Sequence, residues 1–387
     1  MLPLTGLRIL DLTTLSGYCG MEFADHGAEV IKIETPNGGD ALRKFSSFKG
    51  EKSRHHQFRD RGKKSITLDI YNIEGQKLFK ELVAKSDAVL ENFPAGTLEK
   101  LGLGYEDMEK INPAIVYGRI SALGSTGNAV NIPQSEIIAQ AKTGAMHVTG
   151  FPEEEPTRIG FPIASRYSAG FLTSGVILAI CLAKQSGEGQ LVEVTLCGSL
   201  ATITEDKVIT YGVTDEDPMR TGNAHPLVNP YDIIKCKNGY VALGIGSDFQ
   251  WIKLCKVLGK EDWSSDEKYC TNDVRGLHYF GDLRDKIEEF FQDYTMQELA
   301  EKCDSVLIPG TMCSTIKEAL SEEQLHVRNM IVEVDGLKMS NRPVKFVGGT
   351  EPDFVKAPEL GANNAEIFGL IDVDDAKLAK LRADGVI

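Results

Sequence analysis

An alternation of apolar strand and amphipathic helix opens this chain, and it leaves few folds open. Residues 7–12 form a short apolar run of strand character, residues 18–25 carry apolar side chains at helical spacing, and residues 29–33 form a second apolar run. A strand, a helix and a strand in that order make a βαβ unit, whose two strands lie parallel in one sheet. The alternation continues with a helix over 73–84, a strand at 88–90, a helix at 105–111 and a strand at 115–120. A long apolar helix is expected over 167–184, and Gly187-Glu188-Gly189-Gln190 turns the chain into a strand at 191–194. The class read from this pattern is α/β, with a parallel sheet.

The texture changes after about residue 205. Residues 218–230 are rich in Gly, Pro and Asn and read as a linker. Residues 232–245 read as a hairpin turning at Lys237-Asn238-Gly239, because Asn-Gly favours the left-handed backbone that a tight hairpin turn requires. Amphipathic stretches at 249–258, 283–294 and 296–303 follow, which together with the hairpin suggest a small α+β domain. From Arg342 the chain reads as a return to the first domain, ending in a helix at 373–382. The expected division is a large domain from 1–205 and 335–387, a small domain over 225–330, and linkers at 206–224 and 331–334. A chain of 387 residues is long enough for two such cores.

A net charge of −14 argues against a nucleic-acid or anionic-membrane surface. The apolar run at 176–183 is short for a membrane span, and the first residues lack the basic and apolar regions of a signal peptide. Eight cysteines, at 19, 181, 197, 236, 255, 270, 303 and 313, form no Cys-x-x-Cys pair and no zinc-like cluster. They read as free thiols in a reducing cytoplasm, with no metal and no tightly bound cofactor expected.

Several residues invite a functional reading. Arg54, Arg59, Arg61, Lys63 and Lys64 form a basic cluster in an acidic chain, which suits phosphate or solvent alike. Asn92 and Phe93 follow a strand, the place where α/β proteins bind ligands, although a helix entry would use the same residues. Ser16-Gly17-Tyr18-Cys19-Gly20 with Glu34 is a degenerate dinucleotide loop without its Gly-x-Gly-x-x-Gly pattern, so a nicotinamide cofactor is not expected. Glu136 suits either proton handling or the start of a helix. His225 suits the linker as well as a substrate.

The stretch Gly160-Phe161-Pro162-Ile163-Ala164-Ser165-Arg166-Tyr167-Ser168-Ala169-Gly170 resembles the active-site segment of the family III CoA-transferases. Blocks in the same order support the resemblance along nearly the whole chain. They include Leu4-Thr5-Gly6-Leu7-Arg8-Ile9, Gly27-Ala28-Glu29-Val30-Ile31, Glu91-Asn92-Phe93-Pro94-Ala95-Gly96 and Lys100-Leu101-Gly102-Leu103. The resemblance implies a Rossmann-like large domain built from both chain ends, a small domain between them, and two protomers interlocked like chain links. It also implies coenzyme A thioesters as substrates, with contacts from Leu15, Thr35, Lys64, Asn92, Phe93, Lys100 and Leu101, and an accessory role for Glu136.

Family members with this spacing carry their nucleophilic aspartate four residues after the proline and four before the last glycine. Here that position is Arg166. A guanidinium stays protonated and cannot form the acyl bond, so Arg166 does not replace the aspartate. Ser165 and Ser168 have no activating His or Lys nearby in sequence. Three readings follow: one subunit of a heteromeric CoA-transferase whose Asp-bearing paralogue supplies the nucleophile, an acyl-CoA racemase or isomerase, or a non-catalytic acyl-CoA-binding protein. The related racemases use a His, and this chain has none between His56 and His147, which weakens the second. Arginine does suit a carboxylate, so Arg166 is expected to grip an acid substrate.

Overall fold

The structure is a computed structural model and describes residues 1–45, 52–130, 132–351 and 353–387. The chain divides into two compact units. The first comprises Met1–Ala145, Ile159–Ile209 and Val327–Ile387; the second comprises Met146–Arg158 and Thr210–His326.

In the first unit the elements run β1 (Arg8–Asp11), α1 (Tyr18–Asp25), β2 (Glu29–Glu34), α2 (Arg54–Arg59), β3 (Lys64–Thr67), α3 (Ile73–Val83) and β4 (Ala88–Glu91). They continue through α4 (Thr97–Lys100), α5 (Tyr105–Glu109), β5 (Val116–Ser121), α6 (Glu136–Lys142), α7 (Ile163–Ser186), β6 (Leu191–Thr195) and α8 (Leu196–Ile203). The six strands form one parallel sheet in the order β3-β2-β1-β4-β5-β6. Chain order reverses at β1, which pairs with β2 on one side and β4 on the other, so a crevice opens past the carboxyl ends of these strands.

Alternation along each strand sends neighbours to opposite faces. Leu10, Ile31 and Val89 join a core with α3 and with Ile367, Phe368, Leu378 and Leu381 from the chain's end. Ile9, Val30 and Ala88 join a core with α1 and with Leu172 and Val176 of α7. Both faces of the sheet are covered, so the apolar residues of its central strands are buried on either side, and so are the charged Asp11 and Lys32 between them. The edge strand β3 is finished by side chains: Asn363 Oδ1 accepts from the Ser65 N–H at 3.0 Å, and Asn364 Oδ1 from the Thr67 N–H at 2.9 Å. These bonds satisfy groups that a bare edge would leave open.

α7 starts at Ile163, four residues before the start expected from its apolar pattern. Its first free N–H groups are capped by Glu136, which lies far away in sequence. By length and composition this 24-residue helix matches a membrane span, contrary to the sequence expectation. Its row of Ala164, Leu172, Val176, Ile180 and Ala183 is nevertheless packed in the core, as in a core helix.

In the second unit, β7 (Tyr231–Cys236), β8 (Gly239–Gly244) and β9 (Gly310–Met312) form an antiparallel sheet in that order. The hairpin turns between Cys236 and Gly239 as expected, but Lys237 and Asn238 are its central pair and neither Asn238 nor Gly239 takes a left-handed backbone. Helices Asp248–Leu258, Arg284–Phe291 and Met296–Ser305 supply Trp251, Leu254, Ile287, Phe291 and Leu299 to a separate core. Residues Glu205–Thr214, all but the first of them read as linker, form a helix with no buried residue. Strand Ile331–Val334, also read as linker, pairs with Leu337–Ser340 in the first unit.

Candidate active site

Two cavities lie in the crevice of the first unit and share Thr14 and Leu15. The first, about 360 Å³, sits past the ends of β1, β2 and β3 and is lined by Leu15, Thr35, Asp40, Tyr71 and Phe93 among others. The second, about 440 Å³, is lined by Leu15, Tyr18, Arg59, Asn92, Glu136 and Ser165 among others.

The loop after β1 separates the cavities, and hydrogen bonds from several side chains hold it. The Thr14 N–H donates to Asn92 Oδ1 at 2.8 Å, while Asn92 Nδ2 donates back to the Thr14 carbonyl at 2.9 Å. Leu15 adopts a left-handed backbone with φ 58°, and its N–H points at the Asp40 carboxylate, 3.2 Å from Oδ1. Its side chain is left half exposed between the cavities.

Beneath the loop lies a closed net of charge. Lys63 Nζ donates to Asp11 Oδ2 at 2.7 Å and to Asp60 Oδ1 at 2.8 Å, and Lys32 Nζ is 3.1 Å from Asp40 Oδ2. Burial alone would raise the Asp11 pKa, but Lys63 and Lys32 outweigh it and lower it to about 2. Glu34 is similarly enclosed. Burial would raise its pKa, but hydrogen bonds from Arg43 (Nη2 at 2.6 Å) and the Asp40 N–H at 3.0 Å bring it down to about 2. With Ser65 Oγ also bonded at 2.7 Å, Glu34 is committed within the protein, away from the ribose role that a dinucleotide loop would give it.

Glu136 begins α6 and caps α7. Its Oε1 accepts from the Ala164 N–H and from Gln140 Nε2, both at 2.9 Å. Its Oε2 accepts from the Ser165 N–H at 2.9 Å and from Ser165 Oγ at 2.7 Å. Gln140 is itself buried and fixed by the Ile159 N–H on its Oε1 at 2.9 Å. Each Glu136 oxygen thus takes two donors, and the carboxylate acts as an anchor at the positive end of a long helix. It orients the Ser165 hydroxyl at the cavity wall.

Arg166, one residue on, does not line either cavity described above. Its guanidinium lies over the Tyr18 ring, 4.7 Å from the centroid, and its Nη1 is 3.8 Å from Glu22 Oε1. Burial raises the Glu22 pKa, and Arg166 partly offsets that rise. Tyr18 does line the second cavity, so Arg166 adjoins it through one ring. Ser168 is buried against Ser199 Oγ at 3.0 Å, away from the cavity wall.

Of the residues expected to meet coenzyme A, the fold brings Leu15, Thr35, Asn92 and Phe93 to the crevice. Lys64 lies at the opposite, amino end of β3, paired with Glu29 at 2.6 Å and Glu366 at 2.5 Å. Lys100 is exposed on α4, and Leu101 packs on the core beneath. Of the basic cluster, Arg61 is buried against Asp25 and Lys63 against Asp11, while Arg59 faces the second cavity. Sequence reasoning missed Thr14, Tyr18 and the individual role of Arg59. Only the position of Arg59 within a basic run offered a signal, and five cations shared that signal. His225 lies in the second unit, where its Nδ1 accepts the Leu227 N–H at 3.1 Å. Among the described residues no cluster of three metal-ligating side chains occurs.

The chain matches the family model of CoA-transferase family III over residues 4–364 and belongs to that family. It is 35% identical over 399 residues to the succinyl-CoA–D-citramalate CoA-transferase of Chloroflexus aurantiacus, an alignment spanning 100% of this chain and 98% of the relative. It is 30% identical to the succinyl-CoA–L-malate CoA-transferase beta subunit of the same organism, again over 100% of this chain and 98% of the relative. Among solved structures, a CaiB/BaiF family protein from Brucella suis superposes with a TM-score of 0.85 at 29% identity, covering 96% of this chain and 100% of that one. The chain is therefore a CoA-transferase with a mixed α/β fold.

Proposed function

We propose that this chain is the subunit without the nucleophilic carboxylate in a two-chain enzyme that moves coenzyme A between a thioester and a short dicarboxylic acid. The observation that carries this reading is the state of the carboxylate at the second cavity. Glu136 is the only carboxylate lining it among the described residues, and both its oxygens are saturated by donors. The neighbouring Arg166 offers a cation where the family segment carries its aspartate. The beta-subunit relative supports a divided assembly, and the acids named for both Chloroflexus relatives support dicarboxylates.

In this reading the nucleotide end of the thioester lies in the first cavity, with Thr35 and Phe93. The acyl end passes Leu15 and Asn92 into the second. A carboxylate of the partner chain attacks the thioester carbonyl, giving a mixed anhydride and coenzyme A thiolate. The thiolate attacks the partner's own carbonyl, forming a thioester on that chain and freeing the first acid. The second acid attacks this thioester and displaces the thiolate, which then attacks the acyl carbon of the new anhydride. The new acyl-CoA leaves and the partner's carboxylate is restored. This chain contributes the walls, the Glu136–Ser165 pair and a fixed α7 terminus. Tyr167, Phe171, Leu178 and Leu182 are exposed apolar side chains along α7, and exposed apolar surface of that kind suits a protein partner.

The test is exchange between succinyl-CoA and a second dicarboxylate, assayed for the purified chain alone and after co-expression with an Asp-bearing paralogue. The expected result is turnover only in the mixed assembly, with a hydroxylamine-trappable acyl group on the paralogue. Turnover by this chain alone through an adduct on Glu136 or Ser165 would overturn it.

A further inference from the structure

We propose that Arg59 grips the second, non-reacting carboxylate of the acid substrate and makes the second cavity selective for dicarboxylates over monocarboxylates. This rests on the reading that the acid and the acyl group occupy that cavity. The cavity wall carries one cation and one carboxylate among the described residues, Arg59 and Glu136. Glu136 holds the α7 terminus and Ser165, so it does not neutralise the arginine.

Other cations close by have carboxylate partners. Arg61 meets Asp25, Lys63 meets Asp11 and Asp60, Arg43 meets Glu34, and Arg166, over the same Tyr18 ring, stands 3.8 Å from Glu22 Oε1. Arg59 has no carboxylate partner among the described residues. Its guanidinium lies over the Tyr18 ring, 4.3 Å from the centroid, and Nη1 donates to the Leu15 carbonyl at 2.6 Å. These contacts fix the orientation of the fork while leaving its charge in place. The Nε–H is buried and has no acceptor in the protein, so the guanidinium is left under-satisfied by its own fold and its charge is answered by no carboxylate among the described residues. A planar fork of this kind matches a carboxylate in two-pronged fashion. Glu136 and Ser165 line the same cavity, and the proposal puts the reacting end of the acid with them. An acid bearing a charge at each end is therefore held by its inert end on Arg59, with its other carboxylate free to react.

The experiment measures binding without requiring turnover. Succinate and butyrate, matched in carbon number, are titrated calorimetrically into the purified chain and into Arg59→Gln and Arg59→Lys variants, with folding checked by circular dichroism. Wild type is expected to prefer succinate by on the order of 100-fold, the scale of a charge-assisted pair in a partly dry site. Arg59→Gln is expected to bind succinate no better than butyrate, and Arg59→Lys to fall between. In the active assembly the same change should raise KM for dicarboxylic acceptors while leaving KM for acetyl-CoA unaltered. A wild type that binds both acids equally, or an Arg59→Gln chain that keeps the preference, overturns the proposal. A rise in KM for acetyl-CoA instead would assign Arg59 to the thioester's carrier and also overturn it. Lack of turnover with any partner would defeat the functional reading alone, because the binding preference is measured separately.

Discussion

Two sets of charged groups lie within one short stretch of this chain and behave in opposite ways. Lys63 is fully buried and closed on Asp11 and Asp60, with every charge answered from within the protein. Arg59, four residues earlier, is oriented by a ring and a carbonyl and has no counter-charge among the described residues. Equal net charge in sequence thus becomes scaffold in one case and an open site in the other. What separates them is which side of the β1 loop they reach: Lys63 lies beneath it, while Arg59 faces the cavity beside it.

The largest expected effect tests the scaffold side. Lys63→Met would leave Asp11 and Asp60 buried without their cation, which should cost about 3–5 kcal/mol of folding stability. Arg59→Gln should cost about 1 kcal/mol or less, since no buried partner is stranded. Urea unfolding midpoints of the two variants would show it, and equal losses would break the contrast. A second effect follows from pH. Asp11 and Glu34 have folded values of about 2, below their ordinary 3.8 and 4.5. A lowered value means that the stabilisation is present above the ordinary value and is lost as pH falls toward the folded one. Each group should contribute about 2–3 kcal/mol that disappears between roughly pH 4.5 and 2. Acid titration followed by circular dichroism should show this loss, and Lys63→Met should flatten the Asp11 share of it.

Legibility in the sequence divided along similar lines. The parallel sheet could be read because β1, β2 and β4 carry apolar residues on both faces, so the βαβ pattern carried its own evidence. β3 could not be read as a strand, since Lys64, Ser65 and Thr67 are polar and their partners Asn363 and Asn364 lie about three hundred residues away. The start of α7 was hidden for the same reason: its cap is Glu136, supplied from another helix. Leu15, Asn92 and Phe93 followed strands and were legible as crevice residues. Arg59 was not distinguishable from Arg61 or Lys63, because which carboxylate each cation meets is decided by tertiary contacts. Likewise, a motif spacing could locate residue 166 but could not show that its side chain turns onto Tyr18.

The smallest expected effect tests where the crevice ends. Lys64 matches the family pattern and was expected to contact coenzyme A, yet it stands at the amino end of β3. At about 3.3 Å per residue, three steps of strand place it roughly 10 Å from the carboxyl end where the first cavity begins. Its ammonium is held by Glu29 and Glu366 at the half-exposed surface. Such pairs contribute about 0–1 kcal/mol, so Lys64→Ala should lower stability by no more than that. KM for acyl-CoA in the active assembly should stay within twofold or so, and Lys100→Ala, an exposed α4 position, should behave alike. A rise of about tenfold in either variant would mean that coenzyme A follows the sequence pattern past the crevice, since each tenfold corresponds to about 1.4 kcal/mol of lost contact. In that event the boundary drawn here between answered and open charges would have to move, because Lys64 would be both paired within the fold and used by the ligand.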